Sequence, residues 1–294
     1  MKIIQRLYLL IALSFAVLPA TAQQSKVFQS LTIESKILGT PIKYSVYLPA
    51  GYDTSKQNYP VLYLLHGYTD NETTWIHRGK APESADKAIV SGEIKPLIIV
   101  MPDAGLTWYL NDYLGKVRYA DAFFQEFIPA IEKTYRIKAE KASRAIGGLS
   151  MGGYGSLLYA MKHPDMFCAC IPMSAGVFTD TEFTQHLKNK DFRFPEIYGP
   201  MNGETLSETW KTQSILELAK TLSKEQLTSV TYYIDCGDDD FLTAGNCELH
   251  LILKSREIPH EFRVRDGNHD WGYWQVSIVD GLRFLNGVMI PNNE

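Results

Sequence analysis

Gly148-Leu149-Ser150-Met151-Gly152 stands between a short strand-like run, Arg144-Ala145-Ile146-Gly147, and a helix-like run, Met151 to Lys162, that ends at His163-Pro164. The segment reads as a nucleophile elbow, a strand-to-helix corner so sharp that the serine is forced into a strained backbone conformation with its hydroxyl projecting into a cleft. Glycines flank the serine because a side chain at either site would clash across the turn. The helix that follows aims its positive N-terminal end at an oxyanion forming beside Ser150.

The chain opens with Lys2 and Arg6, an uncharged run from Leu7 to Leu18, Pro19, and then Ala20-Thr21-Ala22. The run falls short of the roughly 20 apolar residues that a membrane span needs, and small residues at 20 and 22 fit a signal-peptidase site. Residues 1–22 are therefore expected to be a signal peptide, and 23–294 a single domain without a membrane anchor, secreted or periplasmic. The formal net charge is −4, and loss of Lys2 and Arg6 makes it more negative. Neither nucleic acid nor an anionic membrane surface is an expected partner of such a chain. The oligomeric state is not legible.

Strand and helix signals alternate through most of the chain, which predicts an α/β fold with a mainly parallel central sheet covered on both faces. Val27 to Ser35 and Pro41 to Leu48 read as an opening antiparallel pair. Val61 to Leu65, Leu97 to Met101, the elbow strand, Met166 to Pro172, Val230 to Cys236 and His260 to Arg265 read as strands. Helices are expected over Tyr119 to Tyr135, Met151 to Lys162, Leu242 to Arg256 and Trp274 to Leu285. Two stretches break the rhythm: Gly67 to Gly92, a long connection, and residues 179–229, the natural place for a lid-like insertion. Within the latter, Phe192-Arg193-Phe194-Pro195 reads as irregular chain and Ser207 to Leu222 as helix. Four cysteines, Cys168, Cys170, Cys236 and Cys247, read as small core hydrophobes, with a Cys236–Cys247 bridge the alternative.

A hydroxyl is a weak nucleophile near neutral pH, so Ser150 needs an imidazole to accept its proton and a carboxylate to hold that imidazole. Among the seven histidines, His269 in Asp266-Gly267-Asn268-His269-Asp270-Trp271 follows the last strand, where chain order puts the base. The acid belongs after Tyr232-Tyr233-Ile234-Asp235-Cys236-Gly237, where Asp235, Asp238, Asp239 and Asp240 crowd together and spacing does not separate them. Asp238 to Asp240 also read as a solvated turn or a calcium cluster, although they lack alternating acidic spacing. For the oxyanion hole, Met151 supplies one amide by position. The second comes from Gly67 or Tyr68 after the first buried strand, with His66 a structural hydrogen-bonder in that turn.

Leu64-Leu65-His66-Gly67, Gly148-Leu149-Ser150-Met151-Gly152-Gly153, Cys236-Gly237-Asp238-Asp239-Asp240-Phe241-Leu242 and Gly267-Asn268-His269-Asp270-Trp271 together resemble the esterase D-like α/β-hydrolases. That family includes feruloyl and acetylxylan esterases, S-formylglutathione hydrolases, mycolyltransferases and siderophore esterases. The resemblance runs from about residue 27 to 287. It implies Asp240 as the acid, a serine esterase of the feruloyl or acetylxylan type acting on small or polysaccharide-linked esters, and neither metal nor organic cofactor. Trp75, Trp108, Tyr109 and Trp271 suit that branch as stacking surfaces for substrate, among loop aromatics that include Tyr68, Tyr113 and Tyr273. The alternatives are an acyltransferase, a siderophore or other small-ester hydrolase, and a non-catalytic binding module, which would ordinarily lack a triad member.

Overall fold

The computed structural model describes residues 24–187, 193–200 and 206–289. The expected signal peptide lies outside them, as does Phe192.

An eight-stranded sheet forms the centre, in the order β1-β2-β4-β3-β5-β6-β7-β8. The strands are β1 (Lys26–Ile33), β2 (Ile42–Leu48), β3 (Val61–Leu65), β4 (Ile98–Pro102), β5 (Arg144–Leu149), β6 (Ala169–Met173), β7 (Thr231–Gly237) and β8 (His260–Arg265). β1 pairs with β2 and β2 with β4 antiparallel, whereas β3 through β8 run parallel to one another. Successive residues of β3 divide between the two faces: Val61, Tyr63 and Leu65 enter one core, Leu62 and Leu64 the other. That two-sided burial explains why β3 is apolar throughout rather than alternating. Because the parallel strands all point the same way, their carboxyl ends align Leu65, Leu149, Met173 and Gly237 along one edge, the place where such sheets build sites.

The antiparallel opening pair, the elbow helix Met151–Lys162 and the last strand stand where the sequence predicts them. Other elements differ. Tyr119 to Thr134 is helical throughout, as expected, but with a π-helical turn, Phe123–Phe127, between the α segments Tyr119–Ala122 and Ile128–Thr134. Pro129, which has no amide to donate, opens the second α segment there. The Gly67 to Gly92 connection contains two helices, Thr74–His77 and Ala81–Val90, the second burying Ala81, Ala85 and Ala88. Those alanines at helical spacing were the signal in the sequence.

The closing helix runs over Trp271–Met289, longer at both ends than expected. Phe194–Tyr198 is a helix rather than irregular chain, with Pro195 in its first turn where a missing amide costs nothing. Ser207 to Leu222 divides into Glu208–Gln213 and Ile215–Thr221, because Ser214 adopts an extended backbone between them. Its hydroxyl accepts the Glu217 amide, so it ends one helix and caps the next. The insertion has an aromatic interior, with Phe183 stacked on Trp210 at 3.4 Å. Trp108 packs against Phe194 at 5.2 Å and Tyr154 at 5.7 Å, joining that interior to the elbow helix. All four cysteines are free, Cys170 and Cys236 buried and the other two half-buried, so no Cys236–Cys247 bridge is present.

Candidate active site

Ser150 sits between the end of β5 and the start of the elbow helix with φ 54° and ψ −117°. A side chain in this region costs on the order of 1–3 kcal/mol, and surrounding contacts must hold it there. The Ser150 amide donates to Met173 O at 3.0 Å, and its own carbonyl accepts from the Gly176 amide at 2.8 Å and the Tyr154 amide at 2.9 Å. The flanking glycines are required by close approach. A Cβ on Gly152 would lie 2.5 Å from Leu65 O and 2.6 Å from His66 O, and one on Gly148 2.6 Å from Leu65 O.

From the loop after β8, His269 places Nε2 3.0 Å from Ser150 Oγ and Nδ1 2.8 Å from Asp240 Oδ2. Asp240 Oδ1 accepts the Leu242 amide at 2.9 Å. Burial alone would push the Asp240 carboxyl up. The hydrogen bond and charge of His269, the Leu242 amide and Ser174 outweigh that and hold it below the usual carboxylate range.

The other three aspartates are engaged elsewhere. Asp235 is fully buried, bonded by Ser277 Oγ at 2.9 Å and paired with Arg265. Asp238 Oδ1 accepts the amides of Gly267 at 3.0 Å and Asp239 at 3.1 Å. Asp238, Asp239 and Asp266 do bring carboxylate oxygens within 4.8 Å of one another, but all three are exposed and Asp240 is not among them.

Gly67, Tyr68, Leu149, Ser150, His269, Trp271 and Trp274 line a cleft of about 220 Å³. Met151 begins the elbow helix directly after Ser150, and Gly67 faces it across the cleft: a Cβ on Gly67 would lie 3.6 Å from the Ser150 Cβ. His66 shapes this turn. Its Nε2 accepts the Ala104 amide at 2.9 Å, and since an amide only donates, Nδ1 carries the hydrogen that reaches Gly67 O at 2.7 Å.

The four aromatics expected to stack on substrate divide. Trp271 lines the cleft. Trp75 and Tyr109 do not, because each has a structural hydrogen bond beneath the Gly67 turn: the Trp75 indole donates to Leu65 O at 2.9 Å and the Tyr109 hydroxyl to His66 O at 3.0 Å. Trp108 is buried among Tyr68, Tyr154, Phe178 and Phe194.

Several cleft residues escaped the sequence reading. Asp70 and Arg78 line the wall, the carboxylate 3.8 Å from the guanidinium, and Arg78 lies 5.3 Å above the Trp271 ring. Burial raises the Asp70 carboxyl above its usual range despite His66 and Arg78 nearby. Phe241, exposed at the surface, puts its ring 4.6 Å from that of His269. Proximity of Asp70 to the His66-Gly67-Tyr68 turn and of Phe241 to Asp240 was the available signal.

The Esterase family model matches residues 35–285. An endo-1,4-beta-xylanase/feruloyl esterase of Xylanibacter ruminicola is 39% identical over 165 residues, covering 52% of this chain and 22% of that protein, so the chain spans about a fifth of its length. An acetyl esterase of Caldicellulosiruptor saccharolyticus is 25% identical over 80% of this chain and 86% of its own. A solved ferulic acid esterase superposes with a TM-score of 0.79 and 34% identity, over 91% of this chain and 99% of that one.

Proposed function

Since the chain belongs to the Esterase family of esterase D-like α/β-hydrolases and is a serine carboxylesterase, we propose that Ser150, His269 and Asp240 carry its reaction. The observation behind this reading is the unbroken series Ser150 Oγ, His269 Nε2, His269 Nδ1, Asp240 Oδ2, linked at 3.0 and 2.8 Å. Ser150 Oγ attacks the ester carbonyl carbon while His269 Nε2 takes its proton. The negative oxygen is held by the amide of Met151 and that of Gly67 or Tyr68. The imidazolium then returns its proton to the departing alkoxide, leaving an acyl-Ser150 ester and a free alcohol. Water, deprotonated by the same imidazole, attacks that ester; the bond from the acyl carbon to Ser150 Oγ breaks, Oγ takes the proton back from the imidazolium, and the carboxylic acid leaves. Asp240 keeps His269 in the Nδ1–H tautomer and balances its positive charge.

Feruloyl or acetyl groups on plant polysaccharides are the proposed substrates. The names of the relatives support this, as does a cleft whose wall combines Trp271 and Tyr68 with the polar Thr69, Asp70, Arg78 and Asp270. Residues 1–22 direct export and are removed.

A protein comprising residues 23–294 is to be tested on methyl ferulate, acetylated xylan, short p-nitrophenyl esters and a siderophore trilactone. Turnover of the first two above the others, lost in Ser150→Ala, is expected. Preference for the trilactone, or turnover undiminished in the variant, would overturn the reading.

A further inference from the structure

The loop that carries His269 leaves β8 at Arg265 and ends where Trp271 begins the closing helix. A short loop takes its position from whatever holds its two ends. Both ends here are tied to Asp235, whose side chain is fully buried on β7, the strand that leads to Asp240.

Arg265 Nη2 donates to Asp235 Oδ2 and, at 2.9 Å, to Ser277 Oγ in the closing helix. Ser277 is fully buried as well, and its Oγ faces Asp235 Oδ1 at 2.9 Å and Tyr273 O at 3.2 Å. Its single hydroxyl hydrogen goes to the carboxylate, the nearer acceptor and the charged one. The bonds therefore close a ring through Asp235, Arg265 and Ser277, with a member from β7, from β8 and from the closing helix. Arg265 Nη1 adds a bond to Asp280 farther along that helix.

The backbone beside the ring is fixed in the same sense. Arg265 pairs with Gly237 in the sheet, and its carbonyl accepts the Asp238 amide at 3.0 Å. At the far end of the loop, Asp270 Oδ1 accepts the Tyr273 amide at 3.0 Å and caps the closing helix. A desolvated ion pair adds little net stability over apolar side chains of similar volume. What it adds is direction, because a planar guanidinium bonds only along its N–H axes.

We propose that Asp235 and Arg265 are positioning residues for the ester hydrolysis: with Ser277 they form a clasp that closes both ends of the His269 loop onto β7 and fixes the imidazole between Ser150 Oγ and Asp240 Oδ2. Neither residue touches the ester. Their effect is on the 3.0 and 2.8 Å contacts that His269 makes to its two partners.

This inference rests on the triad reading, and the experiment separates the two. Wild type and Ser150→Ala are assayed first on p-nitrophenyl acetate; persistent activity in Ser150→Ala would defeat the triad reading itself. Arg265→Met, assayed well below its Tm, is then expected to lower kcat about tenfold or more with KM within about twofold of wild type, since the base is displaced while the cleft wall stays. The low-field proton resonance of His269 Nδ1–H on Asp240, assigned by its loss in His269→Gln, is expected to weaken in the same variant. A kcat within about twofold of wild type, with that resonance intact, would overturn the inference.

Arg265→Met also leaves Asp235 buried and unpaired, so its Tm falls. Asp235→Leu combined with Arg265→Met leaves neither charge alone, and Asp280 keeps Arg283 at 2.9 Å. In this double variant Tm is expected to recover toward wild type while kcat stays about tenfold low and the resonance stays weak. Recovery of kcat along with Tm would mean that the ring only stabilises the fold, and the inference would fall. Should these variants fail to fold, Ser277→Ala opens the ring without stranding a charge. It is expected to lower kcat about threefold at unchanged KM, and an unchanged kcat with an unchanged resonance would count against the clasp.

Discussion

His269 Nε2 lies 3.0 Å from Ser150 Oγ although 119 residues of chain separate the two. Neither residue is near the other until β5 and β8 have taken their places in the sheet, with β6 and β7 between them. The distance is therefore a property of the whole sheet, and it carries the chemistry proposed for this protein.

Ser150→Ala should retain the fold and lose turnover by a factor on the order of 10⁴ or more, since the hydroxyl is the attacking atom and alanine fits the elbow. Circular dichroism alongside initial rates on p-nitrophenyl acetate checks both halves. Residual activity above about 1% of wild type would contradict the assignment.

Asp240→Asn should reduce kcat by several hundredfold or more, because an amide in place of the carboxylate no longer balances the imidazolium. Asp238→Asn and Asp239→Asn should leave kcat within about threefold of wild type, both side chains being exposed, with Asp240 the carboxylate bonded to His269. Kinetics of the three variants at saturating ester decide the matter, and a larger loss at Asp239 would mean that the acid is misassigned.

Gly152→Ala should destabilise by at least about 3 kcal/mol, lowering Tm by roughly 6 °C or more, or fail to yield soluble protein. The reason is the contact of a new Cβ with Leu65 O at 2.5 Å and His66 O at 2.6 Å, two backbone atoms that cannot turn aside. Gly287→Ala, whose Cβ would meet nothing within 4 Å, serves as the control. Equal melting temperatures for the two would show that the elbow has room.

Asp70→Asn should raise Tm at neutral pH. The Asp70 carboxyl is raised by burial, so the folded chain binds its proton more tightly than the unfolded chain does. Ionisation therefore weakens the native state as pH rises through the folded value, and below the unfolded value of about 3.9 that penalty is absent. Thermal melts at pH 7 and pH 4 should show a gain that shrinks in acid; a gain that grows in acid would reverse the sign.

Aryl-acyl and short-acyl esters should exceed p-nitrophenyl esters of long fatty acids in kcat/KM by at least about threefold, roughly the worth of one aromatic stack. The cleft offers Trp271 and Tyr68 as flat surfaces, while Asp70, Arg78 and Asp270 on its wall would be left without water by an alkyl chain. A preference for acyl groups of about ten carbons would place the substrate among lipid esters.

Much of this was legible in particular residues. The apolar run of β3, the glycines around Ser150 and the position of His269 beyond the last strand are local signals, because each depends on neighbours a few residues away. The four aspartates after β7 were not separable that way. Only the loop's path decides that Asp240 turns inward while Asp238 spends its oxygen on the amides of Gly267 and Asp239. Trp75 and Tyr109 misled for a related reason: an aromatic in a loop reads alike whether its ring faces the cleft or, as here, its polar atom bonds backbone beneath it.

The sequence by itself determined the order of the strands, the elbow and the candidates for base and nucleophile. Hydrophobic period, glycine sterics and chain order are short-range or one-dimensional properties. The tertiary structure alone decided which partners each polar group finds: Asp240 with His269 and the Leu242 amide, Asp235 with Arg265 and Ser277, Asp70 with the cleft wall. Hydrogen bonds reach only about 3 Å, so a partner drawn from a distant strand end is selected when the sheet assembles and leaves no mark on spacing along the chain.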